Sequence, residues 1–193
     1  MRFNCLCLAT LLTIVPVAAR PLTAADNSTA SWQDLVQNRI SEYGHRNWIV
    51  IADSAYPVQT SPGIETIVAD ADHFQVLQTV FDALSKSKHV RPIVYTDREL
   101  QFVEDSEAPG ISVYQQQLSV FLRDTPPTSL PHEEIISKLD HVSQNFRVLI
   151  IKTNMVLPYT SVFLQLDCAY WSSEAERKLR TAMTKHAAKI GKS

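Results

Sequence analysis

Apolar and polar positions alternate along this chain in two distinct periods. Trp48-Ile49-Val50-Ile51-Ala52 is apolar at every position and rich in β-branched residues, the pattern of a strand buried on both faces. Asp53-Ser54-Ala55-Tyr56-Pro57 then breaks it, because Pro57 cannot donate to a ladder. Ile64–Ala69, Arg91–Thr96, Val148–Ile151 and Tyr159–Ala169 read as further strands. Between them the period changes to that of a helix. Trp32, Leu35, Val36 and Ile40 recur on one stripe behind the N-cap Ser31. Phe74, Leu77, Val80, Phe81 and Leu84 do so over His73–Ser85, capped by Asp72. Ser112–Leu122 and His132–Val142 are helical, with a short helix over Asp97–Val103. Asp124–Pro131 is a proline-rich break, and Ser172–Ile190 has acids first and bases last, complementing a helix dipole. Strands interleaved with helices predict a three-layer α/β domain with a mainly parallel sheet.

The N-terminus adds a compartment. Arg2 precedes the apolar run Cys5–Ala19, which Pro16 interrupts and which falls short of the ~20 residues that span a bilayer. Residues 1–25 read as a signal peptide, 26–31 as a leader, 32–171 as the α/β domain and 172–193 as a helical extension. A secreted or periplasmic protein without stable membrane insertion is expected. Removing residues 1–25 takes away Arg2 and Arg20, leaving 16 basic against 20 acidic residues, a balance unsuited to nucleic acid. Cys168 is then the only cysteine, so neither a disulfide nor a cysteine zinc site is expected. Among Leu166, Ala169 and Tyr170 it reads as a packed small hydrophobe.

Candidate chemistry lies at strand ends. Asp53 directly follows a buried strand, where open α/β sheets bind ligands, although it could simply cap the turn. His45 stands at the opposite end of that strand, roughly 25 Å away at ~3.3 Å per residue, so one pocket can hold both only by a fold-back or across subunits. Tyr159 follows Pro158 and opens a strand, with a hydroxyl that needs a partner. His132 opens a helix beside Glu133 and Glu134, which pull its charge state against the helix start. His73 and His141 read as solvated. No H-E-x-x-H, G-x-S-x-G or G-x-G-x-x-G occurs. What remains is a metal-free, cofactor-free set of His, Asp and Tyr suited to moving protons on a neutral hydroxylated ligand.

Gly44-His45, the apolar strand, Asp53 and Pro57 together resemble the signature G-H-x-x-x-(apolar)-x-x-x-D-x-x-x-P of the D-ribose pyranase / L-fucose mutarotase family, with the His-to-Asp spacing of eight. Pro158-Tyr159-Thr160-Ser161 resembles the family's closing strand. The resemblance covers residues 32–171. It implies a ribose pyranase-like α/β fold, a homo-oligomeric ring with sites between subunits, and a cofactor-free isomerase of monosaccharide anomers or ring forms. It further implies His45 as the acid/base, with Asp53, Tyr159, Ser161 and His132 on the sugar. Three features depart from the family: Ser161 replaces the usual asparagine, secretion is expected whereas the family's familiar sugar enzymes work beside cytoplasmic metabolism, and a helix follows Ser172. A sugar-binding protein without turnover and a purely structural ring are the alternatives.

Overall fold

The structure, a computed structural model, describes residues 31–190; the expected signal peptide and most of the leader lie outside the described residues. Five helices and six strands follow in the order α1 (Trp32–Glu42), β1 (Trp48–Ala52), β2 (Ile64–Val68), α2 (His73–Lys86), β3 (Val90–Asp97), α3 (Ile111–Phe121), β4 (Thr128–Leu130), α4 (His132–Ser143), β5 (Val148–Lys152), β6 (Val162–Cys168) and α5 (Ser173–Ile190). The short helix expected over Asp97–Val103 forms as a 3-10 helix, Arg98–Phe102.

The strands form one sheet in the order β2-β5-β1-β6-β3-β4. Every pairing is parallel except those of β6, which runs antiparallel to both β1 and β3. The sheet is therefore mostly parallel, as the alternating pattern predicts. β1 is buried at all five positions because it lies centrally with both faces covered. Ile49 and Ile51 face α1, α2 and α3 in the larger core, while Trp48, Val50 and Ala52 face Ile135 and Leu139 of α4. Each large aliphatic side chain so buried stabilises the fold by about 1.5–3 kcal/mol. Those two cores make the three layers.

Local chemistry sets the helix ends. Ser31 accepts a hydrogen bond from the Asp34 amide, and Asp72 accepts from the amides of Phe74 and Gln75, so both expected caps form. Gly63 sits where the chain enters β2, hard against the backbone of Ser143 and Phe146; a Cβ there would overlap the Ser143 carbonyl oxygen.

Three expectations change. The proline-rich break contains a short strand, β4, whose pairing with Tyr95–Asp97 no local pattern reveals. β6 begins at Val162, so Tyr159 lies in the preceding turn at φ 56° and is 40% exposed. His73 is fully buried rather than solvated, because α2 turns that face toward Tyr114 and Thr153.

Candidate functional site

Parallel strands send their carboxyl ends to one edge of the sheet, and an antiparallel strand starts at that same edge. Asp53 follows β1 and Asp97 closes β3. Ile51 and Thr96 both pair with Val162, so the turn Tyr159-Thr160-Ser161 enters β6 between the two aspartates. β4 runs parallel to β3 with Leu130 opposite Asp97, which sets Pro131 and His132 beside that carboxylate. Four of the five residues expected at the site, Asp53, His132, Tyr159 and Ser161, thus gather at one edge.

Asp97 and His132 are joined directly. The imidazole Nδ1 lies 3.1 Å from Asp97 Oδ1. His132 remains one-third exposed, while Asp97 is 1% exposed. The contact orients the ring: with Nδ1–H donating to the carboxylate, Nε2 keeps its lone pair for a ligand. Burial pushes the Asp97 carboxyl up to about 6; the hydrogen bond from His132 opposes this, and the charges of Glu99 and Asp53 add to it. A carboxyl titrating there exchanges protons near neutral pH. Its second oxygen is buried without a hydrogen-bond partner among the described residues, as is the hydroxyl of Tyr56. Such orphaned groups are costly, at about 1–3 kcal/mol each, unless a ligand or solvent meets them. Burial raises the Tyr56 phenol, with the Asp97 charge contributing next.

Other contacts fix this arrangement. Both oxygens of Glu99 accept from the His132 amide at 3.0 Å, placing a negative charge at the start of α4 where the helix dipole favours it. Despite some desolvation, that amide holds the Glu99 carboxyl below its usual range. The Tyr159 ring meets His132 edge-on, centroids 5.8 Å apart. For a tyrosine the positive φ costs about 1–2 kcal/mol, strain of the kind concentrated at functional turns. Asp53 Oδ1 accepts from the Ala55 amide at 2.8 Å, capping its turn and leaving the carboxylate half-exposed at the edge. Ser161 is buried at the turn's end.

His45 stands apart. It occupies an exposed turn at the opposite edge, where the Arg46 amide donates to the Leu166 carbonyl near the end of β6. A cleft of about 560 Å³ adjoins it, lined also by Arg46, Cys168, Tyr170, Trp171 and Glu176. Within one chain His45 therefore does not meet Asp53.

Sequence reasoning missed Asp97 and Tyr56. The signal for Asp97 was available: it ends an apolar strand as Asp53 follows one. Its pairing with His132 was not, since it depends on β4.

Residues 33–169 match the RbsD / FucU transport protein family, and the chain belongs to that family. Among solved structures it is similar to Bacillus subtilis RbsD complexed with D-ribose, with 21% identity, 68% of this chain and 89% of that chain covered, and a TM-score of 0.46. The fucose mutarotase in complex with L-fucose from Streptococcus pneumoniae shares 20% identity over 66% of this chain and 87% of its own, TM-score 0.44. FucU from Bifidobacterium longum shares 14% over 68% and 90%, TM-score 0.48. No curated protein sequence matches the chain. Among the described residues no helix is long and apolar enough to cross a membrane.

Proposed function

We propose that the chain is a sugar isomerase of the mutarotase or pyranase type, and that the monosaccharide sits at the carboxyl edge between Asp53, Asp97, His132 and Tyr159. The observation that carries this reading is the Asp97–His132 pair: a buried carboxyl on Nδ1 of a ring that stays one-third exposed, which leaves Nε2 for the ligand. Ring opening needs little more. His132 Nε2 removes the proton of the anomeric hydroxyl, the C1–ring oxygen bond breaks, and the imidazolium so formed delivers that proton to the ring oxygen, giving the open-chain aldehyde. Closure on the other face of the carbonyl reverses these transfers. One placed acid/base contributes ~10²–10⁴-fold, ample for a reaction that already proceeds in water. Family membership and the D-ribose and L-fucose bound by RbsD and the fucose mutarotase support a monosaccharide as the ligand.

The ring assembly and the catalytic role of His45 belong to the same proposal in its inter-subunit form. His45 is exposed and has no side-chain hydrogen bond among the described residues, so it is free to reach a neighbouring copy's carboxyl edge. In that form His45 and His132 divide the two proton transfers.

Saturation-transfer NMR on a panel including D-ribose and L-fucose tests the reading. Acceleration of anomer or ring-form exchange is expected, together with its loss in His132→Gln. Wild-type exchange no faster than buffer across the panel sinks the enzyme reading, and calorimetric binding under those conditions would leave a sugar-binding protein.

A further inference from the structure

Beneath the carboxyl edge lies a buried polar chain that the proton-transfer scheme does not use. His73 is fully buried on α2, with Nδ1 3.2 Å from Thr153 Oγ1 and Nε2 3.2 Å from the Tyr114 hydroxyl. The Tyr114 hydroxyl donates to the Thr160 carbonyl at 2.7 Å. Thr153 Oγ1 lies 2.8 Å from the Ala52 carbonyl and accepts from the Met155 amide. The chain thus touches the residue before Asp53, the residue after β5 and the residue after Tyr159.

Counting protons gives it a direction. Each hydroxyl has one proton, and the shorter contacts point both at backbone carbonyls, which would require both nitrogens of His73 to donate. Burial opposes that cation and lowers the His73 pKa to about 4. A neutral ring is satisfied if one hydroxyl turns toward it. Thr153 can turn, because the Ala52 carbonyl also accepts from the Thr153 amide at 2.9 Å. Tyr114 is the donor held in place by the Thr160 carbonyl. The resulting order is Thr153 Oγ–H to Nδ1, Nε2–H to Tyr114 Oη, and Tyr114 O–H to the Thr160 carbonyl, a run in which each bond polarises the next.

We propose that His73 and Tyr114 are positioning residues: through this chain they clamp the backbone at Thr153 and Thr160 across the end of β1, and so hold Tyr159 and Asp53 at a fixed separation. The role rests on the carboxyl edge being the sugar site, but the clamp is measurable without sugar. Tyr159 keeps its positive φ because the next carbonyl is tied from below. The Asp53 turn is tied on the other side, where the Ser54 amide donates to the Met155 carbonyl.

Tyr114→Phe deletes one oxygen and keeps the ring packing against Phe74 and His73. Thr153→Val removes the other hydroxyl, and Thr153→Ser restores it. The first readout is amide exchange and histidine ¹⁵N NMR of the full chain without ligand. In the wild type His73 should be the Nε2–H tautomer. Tyr114→Phe should speed exchange at residues 159–161, and Thr153→Val that of the Ser54 and Met155 amides, each about tenfold for one lost hydrogen bond. Thr153→Ser should return to wild type. An Nδ1–H ring, or unchanged exchange in both variants, overturns the clamp whether or not sugar is turned over. The second readout is titration with D-ribose and L-fucose. Where the wild type responds, Tyr114→Phe should raise the half-saturating concentration about tenfold with kcat changed less, since positioning is lost while the Asp97–His132 pair stays. Loosened amides with wild-type kcat and KM overturn the positioning role and leave the site reading standing.

Discussion

Replacing Asp97 by asparagine sets stability against function and isolates the buried carboxyl. Asparagine keeps the shape and one acceptor oxygen for His132 but removes the ionisation. The folded carboxyl titrates at about 6 against 3.8 for an unperturbed one, so its proton is bound more tightly in the folded chain. Its contribution to stability is fully present below pH 3.8 and is lost as pH rises through 6. Moving the carboxyl that far corresponds to about 3 kcal/mol, or about 6–12 °C in Tm for a chain of this size. His73 works in the opposite direction: its folded pKa is lowered from 6.5 to about 4, so its stability contribution is present above 6.5 and lost as pH falls through 4. The wild-type pH profile alone therefore mixes two opposed slopes. The informative quantity is the Tm of Asp97→Asn minus that of the wild type at each pH, which cancels His73. Any fixed cost of burying the new amide shifts that difference equally at all pH values. Calorimetric scans from pH 4 to 7.5 should show it growing in favour of the variant by up to the stated amount. In a His132→Gln background it should grow further, because the His132 hydrogen bond is what holds the carboxyl down. A difference that is flat with pH refutes the buried-carboxyl account. Sugar exchange should fall in Asp97→Asn even where stability rises.

Other outcomes follow from packing and from the turns. Gly63→Ala should lower Tm, because its Cβ meets the Ser143 carbonyl, which is backbone and cannot rotate away; an unchanged melting curve counts against that approach. Leu139→Ala should cost about 2–5 kcal/mol in urea unfolding, since Leu139 is fully buried in the core beneath α4. Tyr159→Phe should weaken calorimetric sugar binding by about 1 kcal/mol, the net value of one hydroxyl contact, with Tm unchanged. His45→Ala should abolish exchange if the site is shared between copies and spare it if the site lies within one chain; sedimentation of the same sample reports whether the copies assemble.

Local patterns determined much of this protein. Apolar and β-branched runs located the five longer strands, most plainly β1, which is covered on both faces and apolar throughout. Helical stripes and caps at Ser31 and Asp72 located the main helices. The break after β1 marked Asp53. Tertiary structure alone decided what those residues meet. β6 inserts antiparallel between β1 and β3, and that insertion sets Tyr159 between two aspartates more than 40 positions apart. The three residues of β4 are too few to show a period, yet their pairing with β3 delivers His132 to Asp97. His73 looked solvated because a helix stripe reports only the neighbours of its own turn, and its partners Tyr114 and Thr153 lie 41 and 80 residues away. Periodicity records which face of an element is covered. Strand order and long-range pairing decide by what.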